Sequence, residues 1–513
     1  MPVLLHHAFI RSARARPRKL FIADRSLGRR LTFRKALISV LALSRRLSVD
    51  TASGESRLLG VMLPNSAGSV LTILAALVAG RVPVMINYAT GAERNASFAV
   101  RRCDLSTIIT SERFLEKLDC PRLEGMVYLE DIAGSLAKSD KLMAAALAFV
   151  PTSLARALVH RCDENDAAAI IFTSGSEGDP KPVVLTHRNI SFEVDAMAEV
   201  FHLEEGDSML ANLPFFHVFG LTVNLFTPAT KGLTVATHVT PLDYSSICRT
   251  IREERLTIAA ATPAFWWGYL RASRVGDFET LRIAVAGADK CPDSLRAECM
   301  ELHGVALREG YGATETSPVI SSNSDDGDRP GSVGRPLPGV EIRIESVETG
   351  EACPAGETGR ILVRGDLVMK EYLGDPQATM RAVRAGWYDT GDLGYLDEDG
   401  FLWLSGRLTR CVKVGGEMVS LWRVEEVLDR FLPPGTACCV VAVSDERRGS
   451  RIAAVVTSDV DEREVVRHMA AELPRVAIPK MFIRVDEIPM LGSSKVDFRA
   501  AQRLATASMS GGG

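Results

Sequence analysis

The chain has 513 residues, of which 46% are hydrophobic and 24% are charged, and its formal net charge is -4. A chain of this length exceeds one ordinary hydrophobic core, so we expect two or more domains. The composition fits a globular enzyme, and the balanced charge gives no reason to expect a nucleic acid as a partner.

The cysteines and the N-terminal residues predict the cellular compartment of the protein. Ten cysteines are scattered without a CxxC pair, which favours reduced thiols over disulfides. Residues 1–18 mix histidine and arginine with short apolar runs, unlike a signal peptide, and no apolar run is long enough to span a bilayer. We therefore expect a cytoplasmic protein.

From Ile170 onward, short apolar runs alternate with helical patterns, as in a layered βαβ domain. The pattern predicts strands at 256–262 and 281–286, a helix from about Pro292 to Gly304, and another strand at 305–308. The first part of the chain is therefore predicted to be α/β.

A different pattern follows Arg407 and predicts a small α+β unit. Its predicted elements are a helix at 424–431, strands at 437–443 and 452–456, and a helix at 461–473. We place the boundary between Leu408 and Thr409, which gives a large domain at 1–408 and a small one at 409–513. Residues 508–513 are predicted to be disordered.

Residues 170–181 combine an apolar strand with a loop of hydroxyls and glycines that ends in Lys181. Glycines let backbone N–H groups approach an anion, hydroxyls donate further hydrogen bonds, and the lysine adds a positive charge. The loop is not a Walker loop, because Pro182 begins a strand-like run where a helix would start. Taken alone, the segment is equally well explained as a hydrophilic turn between two strands.

Four further motifs follow the loop in order. They are Tyr311 to Thr316 (YGATET), Tyr388 to Asp392 (YDTGD), Gly406 to Thr409 (GRLT) and Gly492 to Lys495 (GSSK). With the loop, they resemble the signature of the adenylate-forming superfamily of acyl-CoA synthetases, peptide-synthetase adenylation domains and luciferases. Each motif is weak alone, but five in the same order are a strong signal. The resemblance implies an ATP- and Mg2+-dependent ligase with a small, mobile C-terminal lid domain.

The resemblance also implies roles for single residues. The implied ATP-binding positions are Thr173, Ser174, Gly175, Ser176, Gly178, Lys181, Gly287, Ala288, Tyr311, Gly312, Thr314, Asp392, Arg407 and Lys495. Tyr311 would stack on adenine, and the backbone around Ala288 would form a second wall of the adenine pocket. Thr314 would bind the α-phosphate and Glu315 would hold Mg2+, because a carboxylate is the hard oxygen ligand that this ion prefers.

Lys495 is the predicted catalytic residue of the first step of the reaction, in which the acid is joined to AMP. A protonated amine can bridge the attacking carboxylate and the α-phosphate as charge builds there. A lone lysine in a Gly/Ser turn would otherwise be an ordinary surface residue. The other catalytic candidates are His217, Thr314 and Glu315, and Thr409 matches the pivot of the C-terminal domain, although many members carry Asp or Lys there.

The residue at position 217 indicates which class of carboxylic acid is the substrate. Amino-acid-activating members carry an aspartate where this chain has His217, so we expect an acyl chain rather than an amino acid as substrate. The loop at 173–178 and the segment 416–420 resemble acyl-ACP synthetases and the synthetase half of 2-acylglycerophosphoethanolamine acyltransferase/acyl-ACP synthetase. A fatty acid is thus the expected substrate, with acyl carrier protein slightly ahead of CoA as acceptor.

Three alternatives stay open at the level of sequence. In the first, the adenylate is passed to a non-thiol acceptor or used in a condensation. In the second, Pro182 and Ser494 have removed the activity of an adenylate-binding homologue. Residues 141–161 predict either a surface helix or a peripheral membrane contact through Phe149 and Leu154. The sequence does not indicate an oligomeric state.

Overall fold

The computed structural model describes residues 4–48, 56–151, 159–173, 179–414, 417–433, 435–445, 449–490 and 496–510. They fall into two compact units, each treated separately below. The first holds the described residues of 1–173, 180–341 and 364–386, and the second holds those of 174–179, 342–363 and 387–513.

The strands, in chain order, are β1 Leu20–Asp24, β2 Arg29–Thr32, β3 Leu58–Val61, β4 Val82–Met85, β5 Ile108–Thr110, β6 Met126–Tyr128, β7 Ala167–Phe172, β8 Pro182–Thr186, β9 Ser208–Ala211, β10 Thr234–Thr237, β11 Ile258–Ala261, β12 Ile283–Ala286, β13 Leu307–Gly312, β14 Val319–Ser322, β15 Arg335–Pro336, β16 Glu341–Glu345, β17 Gly359–Arg364, β18 Glu371–Tyr372, β19 Val383–Arg384, β20 Trp387–Leu396, β21 Leu402–Arg407, β22 Cys411–Val414, β23 Glu417–Ser420, β24 Cys438–Asp445, β25 Gly449–Val456 and β26 Met481–Arg484.

The α-helices are α1 Leu5–Ala15, α2 Phe33–Leu47, α3 Ala67–Val78, α4 Ala92–Cys103, α5 Glu112–Lys117, α6 Leu129–Ser135, α7 Lys138–Phe149, α8 His187–Val200, α9 Thr227–Lys231, α10 Tyr244–Glu253, α11 Pro263–Ala272, α12 Asp293–His303, α13 Pro376–Ala382, α14 Leu421–Asp429, α15 Glu462–Met469 and α16 Phe498–Ser510. A π-helical segment spans Gly220–Phe226, and 3₁₀ turns span Thr314–Thr316 and Leu408–Arg410.

The first unit is built on two sheets. One has the strand order β15-β14-β13-β12-β11-β9-β10-β1-β2, and the other has the order β18-β8-β7-β4-β3-β5-β6. Strands β9, β11, β12 and β13 are parallel and alternate with helices, which confirms the predicted βαβ layers. Carboxyl ends of parallel strands meet at one edge of a sheet, where ligands of such folds bind.

The core of the first unit explains why these segments form strands and helices. Apolar runs such as Val183–Leu185 of β8 are fully buried, as expected for strands that are covered on both faces. Phe21 of β1 stacks on Phe33 of α2 with ring centroids 4.5 Å apart. Each such buried side chain contributes about 1.5–3 kcal/mol through the hydrophobic effect.

The second unit is an assembly of antiparallel hairpins and helices. Strand β20 pairs antiparallel with both β17 and β21, and β22 pairs with β23. Strand β24 pairs antiparallel with β25, which runs parallel to β26. Helices α14 and α15 pack against this last sheet through Val424, Val427 and Val465. The predicted α+β character of this part of the chain is confirmed.

Several predicted ends shift, and one prediction is wrong. The strand predicted at 305–308 begins only at Leu307, and the helix predicted at 424–431 begins at Leu421. The tail was predicted to be disordered from Ser508, but Ser508–Ser510 form the last turn of α16. This helix buries Ala501 and Ala505 in the core of the second unit, which holds its backbone in place.

The structure also bears on the cysteines and on the membrane. All ten cysteines are free thiols. Within the described ranges, no helix combines the length and the apolar character that crossing a membrane requires.

Candidate active site

Strands β12 and β13 bring the two predicted adenine walls side by side. Gly287 directly follows β12, and Tyr311 lies near the end of the parallel neighbour β13. A Cβ atom on Gly287 would lie 3.1 Å from the Phe219 ring and 3.6 Å from the Gly310 carbonyl oxygen, so only glycine fits without displacement. Ala288 has a φ of 71°, a left-handed conformation that is rare for a residue with a side chain and is concentrated at functional sites.

The hairpin after β13 places Glu315. Gly312 is required in this hairpin, because a Cβ atom there would lie 1.8 Å from the Pro318 carbonyl oxygen. The 3₁₀ turn that follows begins at Thr314 and buries Glu315. The Glu315 carboxylate accepts a hydrogen bond of 2.7 Å from the Tyr372 hydroxyl, and its backbone carbonyl accepts one of 2.8 Å from the Met369 N–H.

The base of the predicted phosphate loop is closed by two hydrogen bonds. The Thr173 N–H donates to the Lys181 carbonyl, and the Lys181 N–H donates to the Thr173 hydroxyl, each over 3.0 Å. Strands β7 and β8 lie on either side of this base, as predicted, and they pair antiparallel. The loop positions Ser174, Gly175, Ser176 and Gly178 lie outside the described residues.

Tyr372 connects the loop to the predicted metal ligand. Strand β18 pairs with β8, and Tyr372 lies opposite Val183 in that pairing. The Lys181 ammonium lies 4.9 Å from the centroid of the Tyr372 ring, a cation–π distance. The same side chain therefore contacts a cation that could neutralise phosphate and a carboxylate that could hold Mg2+.

Sequence reasoning missed Tyr372. It lies 57 residues after Glu315, and no motif spacing links the two positions. The only available signal was a tyrosine in a short segment before a proline-started helix, which predicts nothing specific. The pairing of β18 with β8 creates the contact.

His217 lies in the turn before the π-helical segment and is half-buried. Its N–H donates to the Pro214 carbonyl over 3.0 Å, and its own carbonyl accepts from the Leu221 N–H. Gly220 closes this turn, since a Cβ atom there would lie 2.2 Å from the Pro214 carbonyl oxygen. Single π-helical turns occur frequently at functional sites, which is consistent with the predicted position of His217 near the acid.

The second unit carries two of the predicted ATP-binding residues. Asp392 of β20 and Arg407 of β21 lie opposite each other, and the Arg407 Nε lies 2.7 Å from an Asp392 carboxylate oxygen. The Asp392 N–H donates to the Thr390 hydroxyl over 3.1 Å. The predicted pivot Thr409 is the middle residue of the 3₁₀ turn after β21. Lys495 lies outside the described residues.

The donor set around Glu315 fits Mg2+. A buried carboxylate that is oriented by a hydrogen bond is the kind of hard oxygen ligand that Mg2+ accepts together with phosphate oxygens. The Lys181 ammonium lies on the other side of this contact, over the Tyr372 ring at 4.9 Å, and its predicted role is to bind the same phosphates. Further back on β13, burial raises the pKa of Glu309, while the Arg296 guanidinium opposes this shift.

Comparison with known families gives two matches along the chain. The AMP-binding enzyme family matches residues 9–373, and the AMP-binding enzyme C-terminal domain matches residues 423–495. The chain belongs to the AMP-binding enzyme family. These matches confirm the predicted superfamily and the order of a large domain followed by a small one.

Curated relatives and solved structures agree with this assignment. The long-chain-fatty-acid–CoA ligase of Bacillus subtilis (strain 168) is 28% identical over 506 residues, which cover 91% of this chain and 89% of the relative. The 2-succinylbenzoate–CoA ligase of Bacillus licheniformis is 30% identical over 442 residues, which cover 85% and 87%. The structure of o-succinylbenzoate CoA synthetase from Bacillus subtilis with its acyl-adenylate intermediate has a TM-score of 0.83 at 25% identity and covers 97% of this chain and 98% of that one.

The matches confirm the enzyme class and the cofactors. The chain is an AMP-forming acid–thiol ligase, and enzymes of this family use ATP with Mg2+. The domain boundary between Leu408 and Thr409 and the roles of the individual site residues stay predictions.

Proposed function

We propose that this enzyme activates a fatty acid as its acyl-adenylate and transfers the acyl group to CoA. The observation that carries the proposal is the contact of Tyr372 with both Lys181 and Glu315 at the closed base of the loop. It combines a cation and a metal-binding carboxylate at one place, as phosphoryl chemistry requires.

The first half-reaction joins the acid to AMP. A carboxylate oxygen of the acid attacks the α-phosphorus, and the bond from that phosphorus to pyrophosphate breaks. Lys181 holds the phosphates, and the Thr314 hydroxyl donates to the α-phosphate. Mg2+ bound by Glu315 would supply charge neutralisation at the phosphate oxygens. Lys495 bridges the acid and the α-phosphate, and its protonated amine stabilises the charge that develops between them.

The second half-reaction needs a different face of the small domain at the same site. The thiol sulfur attacks the acyl carbonyl and its proton passes to solvent, while AMP leaves with the electrons of the broken acyl–phosphate bond. We propose that the small domain rotates about Thr409 between the two steps, so that Lys495 leaves the site before the thiol enters.

Two features support an acyl substrate. His217 stands where amino-acid-activating members carry a carboxylate, so an α-ammonium group would lack its partner. Apolar side chains of the segment 218–226 and of α11 are buried and could line a chain-shaped pocket; they include Leu221, Phe226 and Trp266. The fatty-acid relative is similar over nearly the whole chain.

An aromatic acid is the second candidate substrate. The feruloyl-CoA synthase of an Amycolatopsis species is 31% identical over 341 residues, so this part of the fold also serves aromatic acids. Acyl carrier protein is the second candidate acceptor, because the loop at 173–178 and the segment at 416–420 resemble acyl-ACP synthetases. CoA takes precedence because the relatives are named as CoA ligases.

The test of the acid is ATP–pyrophosphate exchange with fatty acids of graded length and with aromatic acids. We expect exchange that depends on a fatty acid and falls about 100-fold or more in Lys495→Ala, as when a charge-stabilising donor is removed. The exposed Lys480 provides the matched control, since Lys480→Ala should retain exchange. Exchange that is unchanged in Lys495→Ala would contradict the assigned role, and no exchange with any acid would indicate a silenced homologue.

The test of the acceptor uses radiolabelled fatty acid with ATP and either CoA or acyl carrier protein. We expect a labelled thioester with CoA. A thioester formed only on the carrier protein would favour the second acceptor. Sustained AMP release without any thiol would favour a ligase that feeds a condensation or another acceptor.

The proposed location is cytoplasmic, and helix α7 is the segment proposed to contact the membrane surface. Helix α7 exposes Leu142 and Phe149, which are 74% and 67% accessible, and the Arg34 guanidinium lies 5.1 Å from the Phe149 ring centroid. Leu154 lies outside the described residues. If the contact exists, replacing Phe149 and Leu154 by Asp abolishes co-sedimentation with liposomes, and unchanged sedimentation contradicts it.

A further inference from the structure

A buried cluster of histidines lies in the first unit, among residues that the proposed reaction does not use. The chain has nine histidines, and His6, His7, His160 and His187 gather in this cluster beside Cys162. The ring centroids of His6 and His7 are 4.5 Å apart, and those of His6 and His187 are 5.4 Å apart. The residues come from α1, from the segment before β7 and from the first turn of α8.

Three of these residues are arranged like a ligand set. His6, Cys162 and His187 each present one ligand atom, and the three atoms lie within 4.8 Å of one another. Among the described residues this is the one group of three histidine, cysteine or acidic side chains with such a spacing. Such atoms need only small side-chain adjustments to reach one ion at the usual bond lengths of about 2.0–2.3 Å.

The protonation of His6 leaves a buried lone pair. Its Nε2 lies 3.1 Å from the His160 carbonyl oxygen and must donate to it, which leaves the lone pair on Nδ1. The Nδ1 atom has no hydrogen-bond partner, although the ring is fully buried. A ring that donates one N–H to a backbone carbonyl and keeps the other nitrogen unprotonated is oriented as metal-binding histidines are.

The His187 ring, whose centroid lies 5.4 Å from that of His6, carries a second lone pair in this cluster. Its Nδ1 accepts a long hydrogen bond of 3.3 Å from the Leu5 N–H, next to His6 in the chain. Because the His187 Nδ1 accepts this bond, it carries a lone pair and no proton. Neutral imidazole is the form that binds metals.

We propose that His6, Cys162 and His187 bind a divalent transition-metal ion of the zinc class. One thiolate and two imidazoles suit Zn2+ or Co2+ and exclude the harder Mg2+ of the reaction. The site is independent of the proposed function, because none of its ligands is assigned a role in adenylation.

The chemistry of binding involves one proton and no redox change. A free thiol carries its proton near neutral pH, because the ordinary pKa of cysteine is about 8.5. As the metal–sulfur bond forms, the S–H bond breaks and the proton passes to solvent. Binding therefore strengthens as the pH rises.

The ion would connect three separate segments of the first unit. It would fix α1 to the segment that enters β7 and to α8, which leaves β8. Because the ligands converge only in the folded chain, binding stabilises the folded state. Bound metal should therefore raise the unfolding temperature.

The test is Co2+ binding to full-length protein from which the purification tag and all metal have been removed. We expect one Co2+ per chain, with a thiolate-to-cobalt charge-transfer absorption and a higher unfolding temperature. Cys162→Ser should remove that absorption, and His6→Gln should weaken binding by about tenfold or more. The matched controls are Cys353→Ser, a half-buried thiol of the second unit, and His202→Gln, an exposed histidine paired with Asp326. Both should bind as the unchanged protein does.

Two results would overturn the proposal. One is the absence of stoichiometric Co2+ and Zn2+ binding by the folded protein, with bound Zn2+ counted by elemental mass spectrometry. The other is a thiolate absorption that persists in Cys162→Ser or disappears in Cys353→Ser. Circular dichroism checks that each variant is folded. If His6→Gln does not fold, Cys162→Ser alone decides the test, because that substitution changes a half-buried side chain by one atom.

Discussion

Tyr372 holds the Glu315 carboxylate through a hydrogen bond of 2.7 Å and offers its ring to Lys181 at 4.9 Å. Tyr372→Phe keeps the ring and removes only the donor. We expect pyrophosphate exchange at limiting Mg2+ to fall about 10- to 100-fold, since a hydrogen bond to a charged group contributes about 1.5–3 kcal/mol. The Mg2+ concentration for half-maximal exchange should rise, because the released carboxylate is no longer oriented for the ion.

The matched control is Tyr128→Phe, which removes the hydroxyl of a tyrosine whose ring faces Arg122 at 4.6 Å. This variant should leave the Mg2+ dependence unchanged. If Tyr372→Phe lowers exchange by the same factor at every Mg2+ concentration, the hydroxyl does not act through the metal ligand.

At this scale the sequence predicted the charged residues but not what orients them. Lys181 and Glu315 stand in recognisable motifs, because phosphate and Mg2+ demand particular residue types at short spacing. The Tyr372 hydroxyl acts across 57 residues of chain, and His6 meets His187 across a larger separation. Contacts of that range depend on strand and helix packing, which local spacing does not encode.

At the scale of elements, the sequence predicted which segments are strands and helices better than where they end. Thr262 was predicted to end a strand, but its hydroxyl accepts from the Phe265 N–H and caps α11. Gly304 was predicted to stop a helix, and it does so with a φ of 63°. Glycine stops are local signals, whereas a threonine suits a strand and a cap alike.

Helix α8 carries a buried acid that makes stability depend on pH. Glu193 is fully buried, and its carboxyl accepts from the Val319 N–H over 3.1 Å. Burial raises its pKa well above the usual value. Between the ordinary pKa and this raised value, the folded chain holds one more proton than the unfolded chain. The free energy of unfolding therefore falls as the pH rises through this window, by at most about 1.4 kcal/mol per pH unit.

Glu193→Gln removes the titration and keeps an oxygen that can accept from Val319. We expect this variant to be more stable than the unchanged protein at pH 8 and to show a flatter pH dependence in urea unfolding. The exposed Glu199 on the same helix serves as control, since Glu199→Gln should change neither. A pH dependence that Glu193→Gln leaves intact would assign the titration to another group.

At the scale of the whole molecule, motifs predicted two domains, but packing divides the chain differently. The second unit includes β20 and β21, which precede the predicted boundary at Leu408. The Ser420 hydroxyl donates to the Ser405 carbonyl over 3.5 Å, and a Cβ atom on Gly406 would lie 2.9 Å from the Ser420 Oγ. Motifs identify the residues that are predicted to bind the nucleotide, whereas compact units are defined by the segments that pack against one another. A boundary drawn from motifs therefore need not coincide with one drawn from packing.

The proposed rotation about Thr409 separates the two half-reactions in a way that one substitution can test. Thr409 is the middle residue of the 3₁₀ turn Leu408–Arg410. Thr409→Pro fixes φ near −65° and removes a backbone N–H, so a rotation that changes this dihedral is impeded. We expect acid-dependent pyrophosphate exchange to stay within about threefold of the unchanged enzyme, while thioester formation falls about tenfold or more.

Thr409→Ala is the control, because it loses the hydroxyl but keeps the backbone free to rotate, and it should support both half-reactions. Single-turnover transfer from preformed acyl-adenylate to CoA, measured beside exchange, separates the two steps directly. If Thr409→Pro slows exchange and transfer equally, the damage lies in the fold of the turn. If it slows neither step, the pivot lies at another residue. Thr409 then matches the hinge of related enzymes in sequence position but does not act as the hinge.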